Sequence, residues 1–87
     1  MTGAETEVAL HIRDRQTLRY IAARRLHPTQ RFAPRADGTA VLTMTVRGTE
    51  ELRNWILNFG SHLEVLKPRA LRDEVGAQHA AAAALNG

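Results

Sequence analysis

The sequence predicts an α+β fold: a four-stranded antiparallel sheet, two helices packed on one of its faces, and a further helix at the C-terminus. Three observations lead to this fold class. Apolar residues alternate in residues 7–13 and 40–47, which is typical of strands with one buried face. They recur every three or four residues in residues 14–24 and 49–59, which is typical of amphipathic helices. Glycine and proline stand between these segments, where helices and strands usually end.

Length and composition favour one small intracellular domain. The chain has 87 residues, of which we expect residues 1–6 to be a disordered leader and residues 7–87 to form a single domain. It has no cysteine, which rules out disulfides and thiolate metal sites. No apolar run approaches the roughly 18 residues of a membrane helix. We therefore expect a soluble, cytoplasmic protein with no membrane partner.

The first half supplies a strand, a helix and a hairpin. Asp14 follows the first strand and is a suitable N-cap for a helix that runs to about Arg24. Pro28 ends the helical path, because the residue before a proline is pushed toward extended geometry. The extended segments 29–35 and 40–47 then flank Asp37-Gly38, a dipeptide that favours a tight type I′ turn.

The second half supplies a helix, a strand and a final helix. Thr49 is the expected N-cap of the second helix, and Gly60 is the expected left-handed residue at its end. Residues 63–66 read as a short strand, and Pro68 opens a third helix that runs to about Leu85. The order is β-α-β-β-α-β plus a helix, which is the ferredoxin-like arrangement.

One face of such a sheet has no helix on it. An RNA-recognition domain of this topology displays stacking aromatics on its central strands, whereas these strands offer Thr and Val. This composition favours a self-associating or interdomain surface. By alternation, the face carries Ala9, His11, Arg13, Val41, Thr43 and Thr45, together with Arg31 or Phe32.

These patterns favour homodimerisation. The terminal helix has a 4-3-4-3 seam from Leu71 to Leu85, which can either cover its own domain or meet a partner helix. A two-fold dimer uses the same patch on both subunits. The candidate interface residues are His11, Val41, Thr43, Thr45, Ala82 and Leu85.

Basic residues are concentrated in one part of the chain. Eleven of the twelve basic residues are Arg, and seven of them lie in residues 13–35, where Asp14 is the only acid. Guanidinium groups bind phosphate or carboxylate through a two-pronged fork, which suits an anionic partner. The alternative is an ordinary solvated helix face in an Arg-rich protein.

Three segments together resemble the WCX domain, the C-terminal extension of WYL-domain transcriptional regulators. They are Leu26-His27-Pro28-Thr29-Gln30, Leu52 to Gly60, and Val65 to Arg72. The family pattern reads His-Pro-Ser-Gln, then Leu-x-x-Trp-x-Leu-x-Phe-Gly, then Val-Leu-x-Pro-x-x-Leu-Arg. Thr29 replaces the serine conservatively. The similarity spans about residues 7–76, and the alanine-rich end departs from the aromatic end common in the family.

The resemblance implies a ferredoxin-like fold and a place in a larger bacterial regulator. In such regulators a winged-helix DNA-binding domain and a WYL domain come first, and this chain contains neither. The extension is associated with dimerisation and with sensing an effector, for which nucleic acid, above all single-stranded DNA, is the leading candidate. The implied partners are a second copy, the WYL domain of the same full-length chain, and DNA through the missing winged-helix domain.

The effector-binding candidates flank the turn after the first helix. A histidine, an amide and guanidinium groups that converge there could hold a phosphate and a base edge. Alternatively, the histidine and the amide only fix the turn by hydrogen bonds to the backbone, and both interpretations stay open. Arg25 falls on the apolar side of its helix, so either the helix has ended or its head group extends past the core. The candidates are Arg24, Arg25, His27, Gln30 and Arg31.

The remaining residues give little indication of catalysis or metal binding. Trp55 completes an apolar helical stripe, which favours core packing over base stacking. Ser61 is the only serine and has no glycine elbow, and no His and carboxylate set has a ligand spacing. We therefore expect no enzymatic activity, no cofactor and no metal.

Two functions of different class follow from the sequence. A dimerisation and effector-sensing module predicts a dimer that survives high salt through apolar contacts. A stand-alone nucleic-acid-binding domain that uses the Arg-rich region 13–35 predicts single-strand binding that weakens steeply with salt.

Overall fold

The computed structural model describes residues 5–86 and has the predicted order of elements. A single 3₁₀ turn, Gly60–His62, separates the second helix from the last strand. The elements are β1 (Glu5–Ile12), α1 (Arg15–Ala22), β2 (Arg31–Pro34), β3 (Ala40–Arg47), α2 (Glu50–Leu57), β4 (Leu63–Lys67) and α3 (Arg69–Asn86).

The four strands form one antiparallel sheet in the order β2-β3-β1-β4, which confirms the ferredoxin-like prediction. β1 starts at Glu5, two residues before the expected start, because Glu5 and Thr6 pair with Arg47 and Val46 of β3. Residues 5 and 6 therefore belong to the sheet and not to a leader. The rest of the expected leader, residues 1–4, lies outside the described residues.

The hydrophobic core lies between one face of the sheet and the three helices. Alternate residues of β1, β3 and β4 point into it, and each helix adds one or two side chains. Burial of each such side chain contributes roughly 1.5–3 kcal/mol to folding. The core cluster comprises Val8, Leu10, Ile12, Ile21, Leu42, Met44, Val46, Ile56, Leu63, Val65, Leu71 and Val75.

The hairpin between β2 and β3 is confirmed, but its predicted type I′ turn is wrong. The amide of Arg35 donates to the carbonyl of Thr39 (2.8 Å), and the amide of Gly38 donates to the carbonyl of Arg35 (3.1 Å). Among the residues of this loop, only Gly38 has a positive φ, +85°. A type I′ turn needs two such residues, whereas a three-residue loop needs only one.

The predicted N-cap of α1 is confirmed, and that of α2 is only partly correct. The carboxylate of Asp14 accepts hydrogen bonds from the amide (2.9 Å) and hydroxyl (2.8 Å) of Thr17. Thr49 occupies the cap position of α2 but makes no side-chain cap hydrogen bond. Two acids in its first turn, Glu50 and Glu51, interact favourably with the positive end of the helix dipole and stabilise this end of α2 instead.

Gly60 and Pro68 lie near the expected boundaries of the later helices, but α2 ends earlier than predicted. α2 ends at Leu57, and Gly60 adopts the left-handed conformation (φ +57°) three residues later. The carbonyl of Pro68 accepts the amide of Arg72 (3.1 Å), so the proline immediately precedes α3. Within residues 5–86, none of the helices is long and apolar enough to span a membrane.

Candidate nucleic-acid interface

The side chain of Gln30 holds the turn between α1 and β2 in place. Its Oε1 accepts the backbone amides of Leu26 (2.5 Å) and His27 (3.1 Å), and its Nε2 donates to the carbonyl of Arg24 (3.1 Å). The amide of Gln30 donates to the carbonyl of His27 (3.1 Å). Gln30 thus fits the turn-stabilising interpretation, because its carboxamide could not turn to a base edge without releasing these groups.

His27 and Thr29 extend this bracing to the sheet. The Nδ1 atom of His27 accepts the amide of Thr29 (3.2 Å) and lies 2.8 Å from its hydroxyl. The same hydroxyl lies 2.9 Å from the backbone nitrogen and 3.2 Å from the carbonyl oxygen of Thr45 on β3. The Nδ1 side of the imidazole is therefore occupied by the turn.

Four of the five effector-binding candidates line one groove of about 400 Å³. It lies between the end of α1 and the start of β2, and the turn that Gln30 braces joins its two walls. Three guanidinium groups line it and no carboxylate does. The lining residues are Ala22, Ala23, Arg24, Arg25, Pro28, Gln30, Arg31 and Phe32. We refer to it as the arginine groove.

Within the described residues 5–86, two of the three arginines in the arginine groove have no hydrogen-bond or ion-pair partner. Neither Arg25 nor Arg31 makes an ion pair or side-chain hydrogen bond within residues 5–86, and both are exposed. α1 has already ended at Ala22, so Arg25 is not forced onto its apolar side. These guanidinium groups are therefore free to bind an anion.

The third arginine, Arg24, lies over an aromatic ring. Its Cζ lies 3.7 Å from the centre of the Tyr20 ring, and its Nη1 donates to the carbonyl of Tyr20 (2.9 Å). The Tyr20 ring is half exposed and meets Phe59 edge-on at 5.9 Å. One face of the guanidinium is thus covered and its orientation is fixed, which suits stacking by an unpaired base on the other face.

His27 is not part of the arginine groove. It lines a larger, open groove of about 860 Å³ on the other side of the turn, whose apolar wall includes Leu26, Leu52 and Trp55. Trp55 packs against the core and meets Phe59 edge-on, with ring centres 4.8 Å apart. This packing fits the core interpretation of Trp55.

The open face of the sheet has a polar half and a less charged half. On β1 and β4, Lys67 pairs with Glu7 (2.6 Å), and His11 lies 3.3 Å from Glu64. The hydrogen bond and charge of Lys67 hold the pKa of Glu7 below its ordinary value. On β3, the half-buried Val41, Thr43 and Thr45 lie on this face, and the register places Arg31 opposite Thr43. Phe32 packs against the core, so Arg31 is the residue of that pair on the open face.

The two remaining interface candidates lie on α3. Leu71 and Val75 are buried in the core, so the first part of the helical seam packs within the domain. Beyond Val75, the described side chains of α3 are exposed except for the half-buried His79. Ala82 and Leu85 belong to this exposed part, and the side chain of Leu85 is 86% exposed.

Sequence reasoning missed Tyr20 and the separation of His27 from the arginines. The spacing of Tyr20 and Arg24, four residues apart on one helix, is the signal that could have paired them. Within the described part of the chain, no group of three His, Asp or Glu side chains is placed to hold a metal ion.

Comparison with known proteins agrees with this fold. The family model described as the WCX domain matches residues 4–83, which include the braced turn, α2, β4 and most of α3. This match confirms the resemblance drawn from the sequence. A search of the curated proteins gives no match.

Proposed function

The chain belongs to the WCX domain family, and on that premise we propose that it is the dimerisation and effector-sensing module of a DNA-binding transcriptional regulator. WCX domains are C-terminal extensions associated with WYL domains. In this proposal the effector is single-stranded DNA, the winged-helix domain of the full-length chain binds the target DNA, and the domain itself has no enzymatic activity.

The arginine groove is the observation that carries the proposal. It brings Arg24, Arg25 and Arg31 together without any acid in its lining. Phosphate contacts dominate the affinity of proteins for nucleic acids, and Arg suits them through its two-pronged geometry. Arg24, which lies over the Tyr20 ring, together with two unpaired guanidinium groups favours a strand with accessible bases over free phosphate.

Binding of a short fluorescein-labelled oligothymidylate, followed by fluorescence anisotropy at increasing NaCl, tests the effector part. We expect the double variant Arg25→Gln/Arg31→Gln to bind more weakly. The slope of log K against log[salt] should also fall by about 1.4, which corresponds to two phosphate contacts on a single strand. The matched control is Arg47→Gln/Arg69→Gln, which removes the same charge outside the arginine groove.

Equal losses in the two double variants would show that only net charge matters and would remove the groove from the proposal. Absence of binding by the wild-type domain at low salt would count against an effector site within this domain alone. Unlabelled duplex and inorganic phosphate as competitors separate a requirement for single strands from general anion binding.

For dimerisation, we propose that a second copy docks on the β3 side of the open sheet face. Val41, Thr43 and Thr45 of β3 carry no charge, with Arg31 beside them at the β2 edge, whereas the β1–β4 side is occupied by ion pairs. A dimer through this side is expected to survive high salt. The exposed Ala82 and Leu85 of α3 are a second candidate contact.

Light scattering across a range of protein and salt concentrations tests the dimer. Thr43→Lys should yield a monomer, because it places a charge in the centre of the proposed contact without touching the core. Gln16→Lys, on the exposed face of α1, is the matched control. Leu85→Lys tests α3 in the same way. A wild-type domain that stays monomeric at high concentration would contradict the proposal.

A stand-alone nucleic-acid-binding domain is the alternative, and one observation favours it. The arginine groove is formed by one continuous segment, residues 22–32, which spans the end of α1 and the start of β2. Tight, salt-sensitive binding by a monomeric domain would favour this alternative.

A further inference from the structure

Four side chains form a hydrogen-bonded row that joins two strands and the hairpin turn. The Nε2 atom of His11 lies 2.9 Å from the hydroxyl oxygen of Thr39, and its Nδ1 lies 3.3 Å from Oε1 of Glu64. The hydroxyl of Thr39 donates to Oδ1 of Asp37 (2.5 Å), which also accepts the amide of Thr39 (3.0 Å). The row connects β1, β4 and the loop before β3, which are far apart in sequence.

The number of available protons fixes the direction of each hydrogen bond. Thr39 has one hydroxyl proton, and its short contact with the Asp37 carboxylate uses it, because two bare oxygens at that distance would repel. The hydroxyl oxygen can then only accept from Nε2 of His11. The carboxylate of Glu64 can only accept from Nδ1. Both contacts can be hydrogen bonds only if both ring nitrogens donate, and a neutral imidazole carries only one proton.

We propose that His11 is a proton-dependent clasp that fixes the hairpin turn to the sheet when its imidazole is doubly protonated. A neutral ring must give up one of its two partners. If Nε2 loses its proton, the Thr39 hydroxyl has to rotate toward the ring and release Asp37, so residues 37–39 lose a restraint. If Nδ1 loses its proton instead, its lone pair faces the carboxylate of Glu64 on β4 and the contact becomes repulsive. This inference does not depend on the proposed dimerisation or nucleic-acid binding.

The charged groups around the clasp come from each neighbouring element. Nη2 of Arg72 on α3 lies 4.0 Å from Oε2 of Glu64. Nη2 of Arg15 on α1 lies close to Gly38 in the turn. The hydrogen bonds from Thr39, aided by the charges of His11 and Arg35, hold the pKa of Asp37 below its ordinary value. Asp37 therefore stays ionised in the range where histidine titrates.

The same geometry argues against a catalytic reading of these residues. Thr39, His11 and Glu64 stand in the order of a nucleophile, a base and an orienting acid. A general base, however, must accept the proton of the nucleophile, and here the Thr39 hydroxyl donates its proton to the Asp37 carboxylate instead of to His11. The row is arranged to hold the turn and not to activate Thr39.

Nuclear magnetic resonance of the ¹⁵N-labelled domain during a pH titration tests the clasp. The ring nitrogen signals of His11 report whether one or both nitrogens carry a proton. The amide signals of Gly38, Thr39 and Ala40 should change together with them. The half-buried His79, on α3, is the internal reference, and its titration should leave the turn signals unchanged.

Two variants separate the clasp from a general pH effect. Thr39→Val keeps the branched shape but removes the hydroxyl, so His11 should still titrate while the turn signals lose their pH response. His11→Gln should abolish that response, and it serves if Thr39→Val does not fold. The proposal is overturned if the turn of the wild-type domain does not respond to His11, or if either variant keeps the response.

Discussion

The hydroxyl of Thr29 occupies the position that a strand residue would take beside Thr45. It lies 2.9 Å from the backbone nitrogen and 3.2 Å from the carbonyl oxygen of Thr45. β2 begins only at Arg31, so this side chain extends the pairing of β3 past the end of the shorter strand. A hydroxyl can both accept and donate, so one side chain can contact both backbone groups of Thr45.

Thr29→Val is expected to lower the free energy of unfolding by about 1 kcal/mol, the typical net value of a hydrogen bond. Valine keeps the branched shape but leaves the amide of Thr45 to water. Thr29→Ser, which keeps the hydroxyl, should stay close to wild type. Urea denaturation followed by Trp55 fluorescence measures both, and equal stability of all three proteins would contradict this role.

Gln30→Ala is expected to destabilise the domain more, by roughly 1–3 kcal/mol, because it leaves two amides and one carbonyl of the turn without their partner. Arg25→Gln, in the same groove, should change stability by less than about 0.5 kcal/mol, because Arg25 is exposed and unpaired. Comparing the two by urea denaturation and oligonucleotide binding separates the roles. If Gln30→Ala lost affinity but not stability, Gln30 would be a binding residue and not a brace.

The sequence predicted the parts of the fold that depend on local patterns. Alternation assigned the faces of β1 and β3 correctly, because a strand that packs on one core must alternate. The sequence patterns could not predict the type of the hairpin loop or the missing side-chain cap at Thr49, because both depend on backbone angles. Nor could it predict that His27 and Arg31 lie on different sides of one turn, since that follows from how Gln30 folds the backbone.

Asp14 is expected to make stability sensitive to acid. Hydrogen bonds from the amide and hydroxyl of Thr17, and the nearby His62 ring (2.9 Å), hold its pKa below the ordinary value of 3.8. Because the folded-state pKa is the lower one, its contribution is fully present above that ordinary value. The contribution disappears as the pH falls through the lowered pKa.

Asp14→Asn isolates this effect, because asparagine caps helices almost as well but does not titrate. The advantage of wild type over Asp14→Asn in thermal melting should be present at neutral pH and should shrink as the pH falls below 3.8. Asp14→Ala should lose about 1 kcal/mol at neutral pH. A wild-type advantage that stays constant down to the acid limit would show that the carboxylate charge is not involved.

Trp55 provides the test between core packing and base stacking. Packed against the core and edge-on to Phe59, it should contribute to stability, so Trp55→Ala should cost roughly 2–3 kcal/mol, below the range for fully buried aromatic residues because it is half-buried. Trp55→Phe should retain most of that stability. Neither change should alter oligonucleotide affinity per folded molecule, since Trp55 does not line the arginine groove.

A stacking residue would behave in the opposite way, with affinity reduced by about 1–3 kcal/mol and stability nearly unchanged. Chemical denaturation followed by circular dichroism, together with anisotropy on the same samples, distinguishes the two.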